Sequence, residues 1–359
     1  MPCYLHWWRT IMRNNYSKNT GDKLSKPLGT KDVMIAGVAL VVAASTLVSD
    51  FNGYFALGWG FVIALILAGG VNLLLAMSAA DLAVSIPRAG ALYEYSRAIF
   101  TGARGIYIGI FLGLSFYIMY GFALSGEIAA GGYATQALFH SDWDVRVFII
   151  LLSICVVVPN AMGIKQAALF SAFLLIFMIG IRWIFGLAGF FGWGDLGAWS
   201  AANLMPQDGM PSLFGDSGIL AAGLALAFWS FVGIEFACSL AEEVNDPERS
   251  MPKGLIGGIV LILFTSMLMG IGVVGTAPLV DWQTMAESEA ACQSSCVQLA
   301  VGQSTFGGTG HALMAIASIA ATLGTATIGL AAMSRMLYAI GRDGMLFGPG
   351  YRLFWQAQP

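Results

Sequence analysis

Charge is what this sequence has least of. Of 359 residues only 10% are charged, against roughly 25% in a soluble domain. Apolar residues make up 58%, and the mean hydropathy is +0.77. So few charges cannot coat a soluble core with water, so the chain is an integral membrane protein whose first partner is the lipid bilayer. Histidine is nearly missing as well. His6, His140 and His311 lie in the tail or at outer edges. HExxH, GxSxG, a Walker stretch and any His/Cys cluster are all missing, which excludes the common metal, nucleophile and phosphate chemistries. No enzyme activity, metal, cofactor or nucleic-acid partner is expected. The five cysteines, Cys3, Cys155, Cys238, Cys292 and Cys296, include no CxxC pair. Cys292 and Cys296 share an outer loop, and their spacing allows either a disulfide or two free thiols. No long apolar run precedes Lys31, so the start does not read as a secretory signal peptide.

What is present is a series of apolar stretches of the length that crosses a bilayer, about 20 residues each. They fall near 33–57, 58–84, 105–130, 146–164, 166–192, 217–240, 254–277 and 309–338. The expected organisation is a cytoplasmic tail over 1–32, a membrane domain of about eight helices over 33–338, and a cytoplasmic stub over 339–359. Fifteen of the 17 basic residues fall on the side of the tail. Arg146 alone lies on the other side, and Arg182 falls inside a span. Basic residues mark cytoplasmic loops, so the N-terminus is expected in the cytoplasm of a cell (inner or plasma) membrane protein.

Two spans have centres unlike ordinary helix. The first reads Val41 to Asp50, VVAASTLVSD, small and hydroxylated mid-span with an acid one turn on. The sixth reads Phe228-Trp229-Ser230-Phe231-Val232-Gly233, followed by Glu235. An ionisable residue at membrane depth is a functional-site hypothesis by default. Spans one and six lie five apart, as corresponding members of two five-helix repeats would. Paired interrupted helices are the sequence pointer to a transporter site, because half-helix N-termini offer N–H groups to an anion. The alternative for Ser45 and Thr46 is back-bonding within an unbroken helix.

Four motifs then carry a resemblance. Ala80-Asp81-Leu82-Ala83 leading to Pro87-Arg88-Ala89-Gly90-Ala91-Leu92-Tyr93-Glu94-Tyr95 is one, and NAMGIK over 160–165 is the second. Trp229 to Pro252 is the third, and SRMLYAIGRDG over 334–344 the fourth. In this order and spacing they resemble the amino acid–polyamine–organocation (APC) permeases. The resemblance implies an all-α, polytopic bundle of twelve helices with a leucine-transporter-like inverted repeat. It also implies secondary transport of amino acids or related amines, coupled to protons or by exchange. Eight spans against twelve leave the second repeat incomplete. A truncated, inactive permease fragment or a membrane interaction subunit is therefore the alternative to a working carrier.

The resemblance also nominates residues. The family's Gly-Ser-Gly, which holds a substrate carboxylate, falls on Ala44, Ser45 and Thr46. The carbonyls of the unwound turn that hold an ammonium fall on Trp229 and Val232, with Ser230 and Gly233 keeping the turn open. Ser115, Phe116 and Tyr120 of span three should face the same cavity, with Glu127 further out as a vestibule charge. Glu235 matches an acid of proton-sensitive gating. A fixed lysine charge of proton-coupled relatives falls near Met178, and Arg182, one turn on, would supply it. The acids Glu242, Glu243 and Asp246, with Arg249, should pair with basic loop residues at the cytoplasmic face.

Overall fold

The computed structural model describes residues 24–100, 102–206, 218–287 and 297–345. Most of the tail, Cys292, Cys296 and the stub beyond Met345 lie outside the described residues. The chain runs α1 (Thr30–Val41), α2 (Ala44–Leu57), α3 (Trp59–Ser85), α4 (Leu92–Ile99), α5 (Gly102–Leu138) and α6 (Val145–Ala161). It continues through α7 (Ile164–Phe191), α8 (Gly218–Trp229), α9 (Pro247–Val274), α10 (Leu279–Glu287) and α11 (Val297–Arg342). Among the described residues there is no β-strand, as lipid demands of a chain that must satisfy its own backbone.

Among the described residues, six helical segments are long and apolar enough to cross a membrane, and the bent pair α1–α2 makes a seventh. The apolar α6 is shorter, at 17 residues. Helices lie over each of the apolar stretches read from the sequence, with shifted edges, and up to seven of them have the length and composition of a membrane span. The first span begins at Thr30, so the tail ends earlier than expected. Asp32 explains the start: its carboxylate accepts the Gly29 N–H at 2.7 Å and lies on the positive end of the helix. The last segment, 46 residues long, is bent at Phe306 and Gly307. A single rod of that length would reach about 69 Å, so the bend separates an outer piece from the true span.

Without a hydrophobic force between helices in lipid, close approach of small residues does the packing. Helices α7 and α9 cross where Gly186 and Gly189 face Gly272. A Cβ on Gly272 would overlap the Gly186 carbonyl. Trp183 Nε1, on the same face, donates to Thr265 Oγ1 at 3.1 Å. The helices therefore touch backbone to backbone.

The face that carries the basic loops is closed by ion pairs. Arg335 grips Glu243 with two hydrogen bonds, at 2.8 and 2.9 Å. Arg342 meets both Glu242, at 3.1 Å, and Glu94, at 2.8 Å. Glu242 also accepts the Ala89 N–H at 2.9 Å, and Asp343 binds Arg97 and Tyr93. Glu242 and Glu243 thus pair with arginines, but Arg335 and Arg342 come from the end of the last span rather than from loops. Leu28 extends this closure, forming a parallel bridge with Val244. Burial pushes the Glu94 carboxyl up from its usual value, while Arg342 and Arg88 pull it back. A carboxyl raised on folding lends stability at low pH that is lost as the pH rises through its folded value. Arg342→Ala is therefore expected to cost on the order of 2 kcal/mol near neutral pH. The deficit should shrink as the pH falls and Glu94 takes up a proton. Melting of the purified variant at two pH values checks this, and a deficit that does not change with pH would contradict it.

Candidate functional site

The first span is interrupted where its small residues cluster. Helix α1 stops at Val41, Val42 and Ala43 leave helical geometry, and α2 restarts at Ala44 with a 62° change of direction. The break therefore lies just ahead of Ala44-Ser45-Thr46, which form the first turn of α2. Its first amides have no intrahelical partner and point into the break. The Thr46 hydroxyl donates to the Ala43 carbonyl at 2.7 Å, a local bond beside the break rather than within an unbroken helix.

The sixth span is broken as well. Helix α8 ends at Trp229, a turn follows, and Gly233 adopts φ +120°, which an L side chain would strain. The chain then runs as a 3-10 helix over Ile234–Glu243, 10 residues long. Such helices seldom exceed 3–4 residues, and a long one marks a hinge or strain. The two breaks touch: Trp229 Nε1 donates to Ser45 Oγ at 3.1 Å.

Beside them lies a cavity of about 130 Å³ walled by Ser45, Thr46, Tyr120, Trp229 and Val232, all expected, together with Ala43, Met119, Glu127, Phe236 and Thr325. Ala44 contributes through its backbone: its N–H donates to Glu127 Oε2 at 3.1 Å, and that of Ser45 does so at 3.3 Å. Glu127 thus sits at the break itself, 8% exposed, and the expected vestibule position is corrected. The reason is helix length. Helix α5 has 37 residues and runs on to Leu138, so Glu127 lies well inside it.

Other expected residues separate. Ser115 is exposed and lines neither cavity described here. Phe116 and Glu235 face a second cavity, of about 160 Å³, with Tyr95, Cys238 and Met336. Leu82, Ala91 and Leu92 place that cavity toward the basic face. Phe236 borders both cavities. Its ring meets Phe116 edge-on at 4.3 Å and Tyr120 at 4.9 Å between centroids, and these three rings form a septum between the chambers. The Glu235 carboxylate accepts the Gly233 N–H at 3.3 Å, clasping the turn that precedes it.

Arg182 and Ser230 belong to a third grouping, behind the first break. Arg182 is 1% exposed. Its Nη1 lies 3.9 Å from Asp50 Oδ2, and its Nη2 donates to the Ala43 carbonyl at 3.3 Å and to Thr46 Oγ1 at 3.4 Å. Asp50 accepts from Ser230 Oγ at 2.6 Å and from Ser266 Oγ at 2.8 Å. A buried charge must be paired and hydrogen-bonded, and these four residues from four segments satisfy one another almost completely. Arg182 Nε is the atom left without a partner. Met178, one turn before, is fully buried. Among the described residues no cluster could hold a metal ion.

Two broken helices around one chamber is the geometry of a solute carrier. A family model described as "Amino acid permease" matches residues 30–354. The chain belongs to the amino acid permease family. This permease is accordingly a multi-pass membrane protein of an amino acid transporter family, not an enzyme. It is 24% identical over 352 residues to the branched-chain amino acid permease BcaP of Bacillus subtilis (strain 168), covering 92% of this chain and 70% of that one. It is 25% identical to the methylthioribose transporter of the same organism, with the same 92% and 70% coverage. Likeness to the chloroplastic cationic amino acid transporter 9 of Arabidopsis thaliana is 23%, covering 91% of this permease and 57% of that protein.

Asp50, Glu127 and Phe236 are the site residues that sequence reasoning did not place. Asp50 had a signal, as an acid one turn beyond the small residues. Phe236 had none.

Proposed function

We propose that the protein moves its solute by alternating access through the chamber at the two breaks, with protons as coupling ion or by exchange. The observation that carries this reading is the Trp229–Ser45 bond, which joins two interrupted helices over a cavity. Ser45, Thr46, Tyr120, Trp229 and Val232 are proposed as its substrate-contacting wall, with Ala44 acting through its N–H. Gly233 serves as the hinge, and Ser230 holds Asp50. Arg182 supplies a fixed charge against the first break. Arginine titrates poorly, so Glu235, in the chamber beyond the septum, is the group proposed to exchange protons as the turn at Gly233 moves. The side with fifteen basic residues is proposed as cytoplasmic, in a plasma or inner membrane. Release inward then requires Phe116, Tyr120 and Phe236 to part.

Uptake by proteoliposomes tests the reading, using radiolabelled branched-chain and cationic amino acids and their amines, with and without a pH gradient. Accumulation that follows the gradient identifies symport, and counterflow without it identifies exchange. Absence of both for the whole panel would end the carrier proposal.

A further inference from the structure

We infer that Glu127 supplies the carboxylate that an amino acid would bring to the first break, so that the chamber takes the amine counterpart of an apolar amino acid rather than the amino acid itself. This rests on the carrier reading above and narrows its substrate class.

The first turn of α2 has amides without intrahelical partners and the positive end of a helix dipole, the donors an incoming anion would use. They are already engaged. Glu127 Oε2 accepts from both Ala44 and Ser45. A second carboxylate on the same two amides would lie against the first, and like charges at that distance exclude each other. Expelling Glu127 would strand its charge against apolar walls. Ala44 and Thr46 carry side chains where bare backbone would leave more room for a ligand head group.

The chamber's charge balance points the same way. Asp50 and Arg182 neutralise each other behind the break, and Glu235 lies beyond the septum. Among the described residues no Lys, Arg or His forms an ion pair with Glu127. One ammonium group would balance it. The same wall offers the further groups that an ammonium uses. Tyr120 Oη is buried and has no hydrogen-bond partner among the described residues. The rings of Tyr120, Trp229 and Phe236 border the cavity, and such faces attract cations. Leu40, Val41 and Met119 complete a largely apolar wall, which suits an aliphatic or aromatic tail on the amine. Glu127 and a bound amine would together present the two charges that an amino acid carries in one molecule.

The test compares pairs differing only by a carboxylate: 3-methylbutylamine against leucine, and 2-phenylethylamine against phenylalanine. Binding is measured on the purified full chain, with monodispersity as the folding control. The wild type is expected to bind each amine at least about tenfold more tightly than its amino acid. Glu127→Ala should reverse that order, because it frees the two amides. Glu127→Gln keeps the shape without the charge, and should lose amine binding by a similar factor. If Glu127→Ala fails to fold, Glu127→Gln decides, since retained amine binding there overturns the inference. A wild type that prefers the amino acids, with no change in either variant, overturns the inference and leaves the carrier reading standing. Binding of neither class overturns both.

Discussion

Arg182→Met is expected to abolish uptake and to lower stability by about 3–5 kcal/mol, the cost of leaving one partner of a buried ion pair alone. Asp50 would keep only the Ser230 and Ser266 hydroxyls. The Ala43 carbonyl, exposed by the break, would lose its donor. Stability and function can be separated in the double variant Asp50→Asn/Arg182→Met. Removing both charges should recover much of the lost stability, because the two effects share one network and do not add. Uptake should stay lost if the guanidinium holds the break open for transport. Thermal melting and proteoliposome uptake read the two effects independently. Wild-type uptake with unaltered pH dependence in the single variant would remove Arg182 from the mechanism.

Gly272→Leu is the second large effect. Its side chain would have to occupy space filled by the Gly186 backbone, so α7 and α9 must separate. Overpacking costs typically 1–3 kcal/mol and occasionally more, and contact between two main chains belongs at about 3 kcal/mol. The damage should reach the site as well. Gly186 lies one turn from Arg182, so a displaced α7 carries the guanidinium away from Asp50 and Ala43. Gly180→Leu on the same helix is the control, because a Cβ there meets nothing within 4 Å. Equal melting temperatures for the two variants would show that the crossing is looser than described.

These residues also mark what the chain announced and what it withheld. The interruption of the first span was legible because small, hydroxylated residues rarely fill the middle of an apolar stretch. Its position was off by about one step, because helix ends depend on which amides find partners. Arg182 stood out as a charge within a span, and Asp50 as an acid, but nothing local says that they meet. That contact is made by the packing of α1 on α7, which brings Arg182 to the break from which α2 restarts. Glu127 was misplaced for another reason. Hydropathy marks the part of a helix that lipid would cover, while α5 runs well past it, so depth was judged from too short a rod. Ser115 failed through rotation about the helix axis: it lies on the exposed side of α5, next to the buried Phe116.

The stitch between Leu28 and Val244 has a practical side. It fastens the root of the N-terminal arm to the segment that leads directly out of the 3-10 hinge. A load on that arm, whether a fused fluorescent protein, an affinity handle on a resin or a crowded membrane surface, is transmitted to the hinge by hydrogen bonds rather than dissipated in a slack leash. Reporters for single-molecule or imaging work should therefore be attached elsewhere, or their influence on turnover measured first.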